Sequence, residues 1–112
     1  MNDLTEFAGA FARNIVDGDT AGAHAMLSDA LAQGTSPADL SSEFDALADD
    51  MGGVTGVGEP MVILEEWPDM AADDRAMVYV PLEGDVFSEA LTVTIAASND
   101  GLCISNIEWG RP

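Results

Sequence analysis

Two side chains in the second half of the chain have the chemistry of an acid–base pair. Glu89 alternates with Phe87, Leu91, Val93 and Ile95, so in an extended strand it shares their face and turns its carboxylate toward apolar surroundings. Burial without a partner disfavours the ionised form of a carboxylate and raises its pKa, the tuning that proton transfer near neutral pH requires. Tyr79 shares parity with Met77 and would offer a phenolic hydroxyl as donor to a carbonyl oxygen or oxyanion. Base and donor in one pocket would serve general acid–base chemistry on a small molecule. Each residue also has a plain packing role, Glu89 at an exposed strand end and Tyr79 as a cross-strand neighbour.

Glu65 has similar company in Met61, Ile63 and Trp67, but Val62, Leu64 and Glu66 make the opposite face equally plausible as the inner one. Together with Trp109 near the end of the chain, these give Glu65, Trp67, Tyr79, Glu89 and Trp109 as ligand-binding candidates. His24 is the only histidine, with Asp17, Asp19 and Asp29 around it in sequence; one imidazole with unplaced acids makes no metal site, and a solvent-facing helix residue accounts for it. Cys103, the only cysteine, lies between Leu102 and Ile104 with nothing basic nearby to lower its pKa, which describes a buried, inert thiol. Asp49-Asp50 and Asp73-Asp74 fall at a helix end and in a loop, where acids face water, and no EF-hand spacing accompanies them. Walker, dinucleotide, zinc and nucleophile-elbow patterns are missing from the sequence, so no cofactor and no metal are expected.

The elements that would position these residues fall into two halves. Phe7, Ala8, Phe11, Ala12 and Ile15 recur at helical spacing until Asp17-Gly-Asp19 interrupts them. Asp19 or Thr20 can cap a second helix with the stripe Ala23, Met26, Leu27, Ala30 and Leu31, stopped by Gly34 and open to a break at Ser28-Asp29. Ser36-Pro-Ala-Asp39 places a serine cap, a proline at the first helical position and an acid three residues after the cap, so a third helix carries Leu40, Phe44, Leu47 and Met51 to Gly52-Gly53.

Beyond Gly58 the period drops from 3.6 to 2, and strands are expected over Pro60–Trp67, Arg75–Glu83, Val86–Ala97 and Leu102–Trp109. Gly84-Asp85 reads as a two-residue hairpin turn and Asn99-Asp100-Gly101 as a slightly longer one. In the last strand Leu102 and Ile104 have one parity and Ile107 and Trp109 the other, so a bulge near Ser105-Asn106 would restore one apolar face. The expected fold class is α+β: three N-terminal helices packed on one face of a curved antiparallel sheet of about four strands, in one domain over residues 1–112.

The stretch Phe11-Ala-Arg-Asn-Ile-Val-Asp-Gly-Asp-Thr-Ala-Gly-Ala-His-Ala-Met-Leu-Ser28, followed by Ser36-Pro-Ala-Asp-Leu40 and Phe44, resembles the NTF2-like superfamily, in particular its small bacterial domains. That resemblance implies a cone-shaped pocket between helices and sheet and frequent pairing of sheets face to face. It leaves function open, because the superfamily hosts isomerases, dehydratases, ligand binders, transport adaptors and immunity proteins. No local motif matches the catalytic Asp or His and Tyr of its enzymes.

Composition narrows the partners. Among 112 residues, 21 acids face only Arg13, Arg75 and Arg111, there is no lysine, and the formal net charge is −18. Such a surface repels a phosphate backbone and anionic headgroups, so neither nucleic acid nor membrane is an expected partner. The acidity has three readings: solubility, adaptation to high salt, or docking of a basic protein. With 47% apolar residues the chain can still build a core. The acidic opening Met1-Asn-Asp-Leu-Thr-Glu6 is unlike a secretory leader, which makes the cytoplasm the expected location. The expectation is therefore a non-enzymatic interaction module, able to form a homodimer through its sheet and to take a basic protein or a small apolar ligand, with a cone-pocket isomerase or dehydratase as the alternative.

Overall fold

The Phe7–Ile15 stripe folds as expected in the computed structural model of the chain, which describes residues 3–98 and 101–110. Helix α1 (Asp3–Val16) buries Ala8, Phe11, Ala12 and Ile15, and its partner positions belong to three further helices: α2 (Thr20–His24), α3 (Asp29–Gly34) and α4 (Pro37–Met51). Asp19 caps α2 by accepting from the Gly22 amide at 2.9 Å. Ser36 and Asp39 form the reciprocal capping box, with Pro37 in the first turn of α4, and Gly52 ends that helix in the left-handed region at φ 75°.

The stripe from Ala23 to Leu31 is divided into two helices, at the break that Ser28-Asp29 left open. The Ile104 amide donates to the Met26 carbonyl and the Ser28 amide to the Ile104 carbonyl, both at 2.8 Å, so Leu27 makes a parallel bridge to Ile104. The Ser28 amide, committed to this rung, cannot also donate to His24 and continue α2, and Ser28 then starts α3 with its side chain accepting from the Leu31 amide.

Five strands follow: β1 (Val54–Val57), β2 (Met61–Leu64), β3 (Asp74–Gly84), β4 (Glu89–Ser98) and β5 (Gly101–Trp109). All neighbours are antiparallel in the order β1-β3-β4-β5, and β2 pairs with β3 on the same edge as β1. The four-residue β1, set between Gly52-Gly53 and Gly58, carried too little apolar alternation to be read from sequence, and β2 stops at Leu64, short of Trp67. β4 begins at Glu89, not Val86, and the expected two-residue turn is a longer loop. The reason is local: the Asp85 amide donates to Gly53 and the Val86 and Phe87 amides to Met51, which ties the loop to the end of α4, while Gly84 pairs with Val54. Asn99 and Asp100 of the other expected turn lie outside the described residues.

The bulge falls where parity required it. Thr94 faces Asn106 and Ile95 faces Ile104, leaving Ser105 as the extra residue, so that Ile104, Ile107 and Trp109 share a face. That face meets the helices. Val78, Val80, Leu82, Leu91, Val93 and Ile95 pack with Phe11, Ile15, Leu40 and Met51 in one fully buried cluster, each large side chain contributing about 1.5–3 kcal/mol through burial. Leu47 is buried as expected, whereas Phe7 and Phe44 are half-buried and close the rim of the cluster.

Candidate functional site

Cross-strand pairing sorts the predicted site residues. Tyr79 faces Met61 on one side and Thr92 on the other, which puts it on the sheet face away from the helices. Glu89 is opposite the buried Leu82, so at the first residue of β4 it belongs to the helix side, half-buried. The two residues of the acid–base pair therefore leave the sheet on opposite faces, and the structure does not bring them together. Trp109 faces Leu91 on the helix side. Glu65 is exposed just after β2, and Trp67 is half-buried in the following loop, where its carbonyl accepts from the Met70 amide at 3.1 Å.

The open face has an apolar part and a polar part. Met61 and Leu64 of β2 stand beside Tyr79 and Met77 of β3, and Thr92 and Thr94 follow on β4. Both threonines are buried, and the Thr92 hydroxyl, in a residue only 3% exposed, has no hydrogen-bond partner. An orphaned hydroxyl at the centre of a sheet face is costly in a finished interior. At one end of this face Asp74 is already employed. It accepts from the Ser105 hydroxyl and the Ala71 amide, both at 3.0 Å, and so ties the 71–74 turn to β5. Cys103 lies opposite Ala96 nearby; burial pushes its thiol up, and Asp29, Asp73 and Asp74 push the same way, so the thiolate is disfavoured.

Two grooves flank β5. One, of about 590 Å³, lies between Met26–Asp29 and the end of the β4–β5 hairpin, with Asp73, Ser98 and Cys103 in its walls. The other, of about 350 Å³, is bounded by Leu31, Thr35, Asp39 and Glu43 from the helical layer and by Asn106, Ile107 and Trp109 from β5. His24 helps to shape it: its Nε2 is 2.8 Å from the Thr35 carbonyl, the distance of an N–H···O bond, which pins the α3–α4 linker over α2. Trp109 is the one predicted ligand residue in this groove. Leu31, Glu43 and Ile107 were missed, because a groove assembled from segments more than sixty residues apart leaves no local pattern.

Among the described residues no group of three His, Cys, Asp or Glu side chains could hold a metal ion, and no helix is long and apolar enough to cross a membrane. No protein-family model, no curated protein and no solved structure matches the chain.

Proposed function

We propose that the chain is a non-enzymatic protein-interaction module of NTF2-like type whose partner is a basic protein. The observation that carries this reading is the occupation of the space between helices and sheet. Phe11, Ile15, Leu40, Leu91 and Ile95 fill it, each 1% exposed or less, where a small-molecule enzyme of this architecture would keep a deep apolar pocket with converging polar groups. The placement of Glu89 and Tyr79 on opposite faces argues in the same direction. Acids outnumber bases seven to one, which favours encounter with a cationic surface and disfavours polyanions.

The open sheet face is the natural place for a second copy. Its Met61, Leu64, Met77, Tyr79 and Thr92 are uncharged in a chain that carries −18, and a homodimer through this face would cover them. Affinity capture on the immobilised protein at physiological ionic strength tests the main reading. Basic proteins should be retained over an equally acidic control, and should be lost when exposed acids of the domain are reversed to lysine. Retention no better than the control would overturn it. Sedimentation at micromolar concentration tests the dimer, with a monomer as the outcome against it.

A further inference from the structure

We infer that the outer edge of β5 beside Ile107 and Trp109 takes up an extended segment of the basic partner as an added strand, its apolar side chains entering the groove beneath α3 and α4. The inference rests on the interaction-module reading and adds where and how the partner binds.

The backbone is oriented for it. The Gly110 amide donates to the Ala90 carbonyl at 2.8 Å. In an antiparallel ladder, residues that exchange bonds with the neighbour alternate with residues whose amide and carbonyl point the other way. Counting back along the register, Glu108 and Asn106 turn to β4, and Ile107 and Trp109 turn their peptide groups outward. This edge already makes one bridge to the chain itself: before the bulge, Ile104 is bonded to Met26 and Ser28 in parallel fashion. Ser28 then leaves the edge to begin α3, and the edge continues past Ser105 with Ile107 and Trp109.

The side chains fit the same occupant. A strand laid along Ile107 and Trp109 would direct alternate residues to the helix side, where Leu31, Ile107 and Trp109 supply the apolar surface of the groove. Exposed Glu43 and Asp39 stand on its rim, one Asp39 oxygen being engaged by the Ser36 amide. The rim therefore calls for lysine or arginine next to the inserted apolar residue. A second copy of this chain is a poor source of that pattern, since it has no lysine and its three arginines, Arg13, Arg75 and Arg111, never recur within one strand-length segment.

The test uses the intact protein and a fluorescent, end-capped peptide of about eight residues alternating valine and arginine, the length of an ordinary strand. Its affinity is measured by anisotropy at physiological ionic strength, beside a form N-methylated on one edge and an arginine-only peptide. N-methylation and Glu43→Arg should each weaken the valine–arginine peptide about tenfold, Glu66→Arg in the distant loop should change it far less, and the Ile107 and Trp109 amides should become protected from hydrogen exchange. Binding that ignores N-methylation and Glu43→Arg overturns the edge inference while leaving an acidic docking surface standing. If neither peptide binds at all, the interaction-module reading falls with it.

Discussion

The two faces of β4 are equally buried and chemically different. On the helix side Leu91, Val93 and Ile95 are sealed by a second layer of side chains from α1 and α4. On the other side Ala90, Thr92, Thr94 and Ala96 are flanked by cross-strand neighbours, Tyr79 and Glu108 beside Thr92, Met77 and Asn106 beside Thr94. Cover from a second layer fixes every contact. Cover from the same layer leaves a surface whose centre is dry and whose hydroxyl is unpartnered, and this is the face that has unfinished business.

The largest effect that would test this contrast is Phe11→Ala. A fully buried aromatic residue lost from the sealed side should cost about 3–5 kcal/mol in urea unfolding. A cost below about 1 kcal/mol would mean that the helical layer does not close the sheet. Cys103 provides the next test, from the open side. Its raised pKa and burial predict alkylation by iodoacetamide at pH 8 that is at least about tenfold slower in the native protein than in urea. The sign for stability follows from the same shift. A thiol held neutral in the folded state contributes fully below its ordinary value of 9.0 and loses that contribution as pH rises through the folded value, so stability should fall on the alkaline side. Native alkylation as fast as in urea would show that the open face is not dry at its β5 end.

Thr92→Val is a smaller and sharper probe. Replacing an unpartnered buried hydroxyl by a methyl group of the same shape should be neutral or stabilising by about 1 kcal/mol. A loss larger than that would reveal a hydrogen bond that forms in solution, and a loss that grows with protein concentration would assign it to a second copy. The smallest effect concerns the carboxylates surrounding both faces. With −18 charges and few cations, added salt should raise the melting temperature by a few degrees between low salt and about 0.5 M NaCl, where the screening length falls well below the ~10 Å of 0.1 M. A plateau above that concentration would match a surface built for solubility, and continued gain into the molar range one adapted to salt. A flat or falling curve would show that self-repulsion is negligible.

Features with a local cause were legible in the sequence. Ser36-Pro37-Asp39 announced α4, Gly52 its end, and the parity change between Ile104 and Ile107 the bulge at Ser105. The break before α3 was legible as an option at Ser28-Asp29, but its cause, the bonding of the distant Ile104 to Met26 and Ser28, was not. Features set wholly by distant partners were hidden: the late start of β4 exists because Val86 and Phe87 bond to Met51. The same limit applied to the site. Alternation placed Glu89 and Tyr79 on definite parities but could not relate one strand's parity to another's before the register was known, and the groove at Trp109 depends on helices that meet β5 only in the fold.

β2 is an edge strand with its apolar side chains in view: Met61 is 53% exposed, and Ile63 and Leu64 are close behind. An unpaired edge of this kind is a template on which identical chains can stack. Glu59 stands just before it and Glu65 and Glu66 just after it, all exposed, so any copy approaching in register would bring like charges together at both ends of the segment. In that light the acidity is a gatekeeper written around an exposed apolar edge strand. It also sets opposing limits on handling: the salt that relaxes repulsion within one molecule weakens the barrier between molecules, so conditions that raise the melting temperature should bring the protein closer to edge-to-edge association.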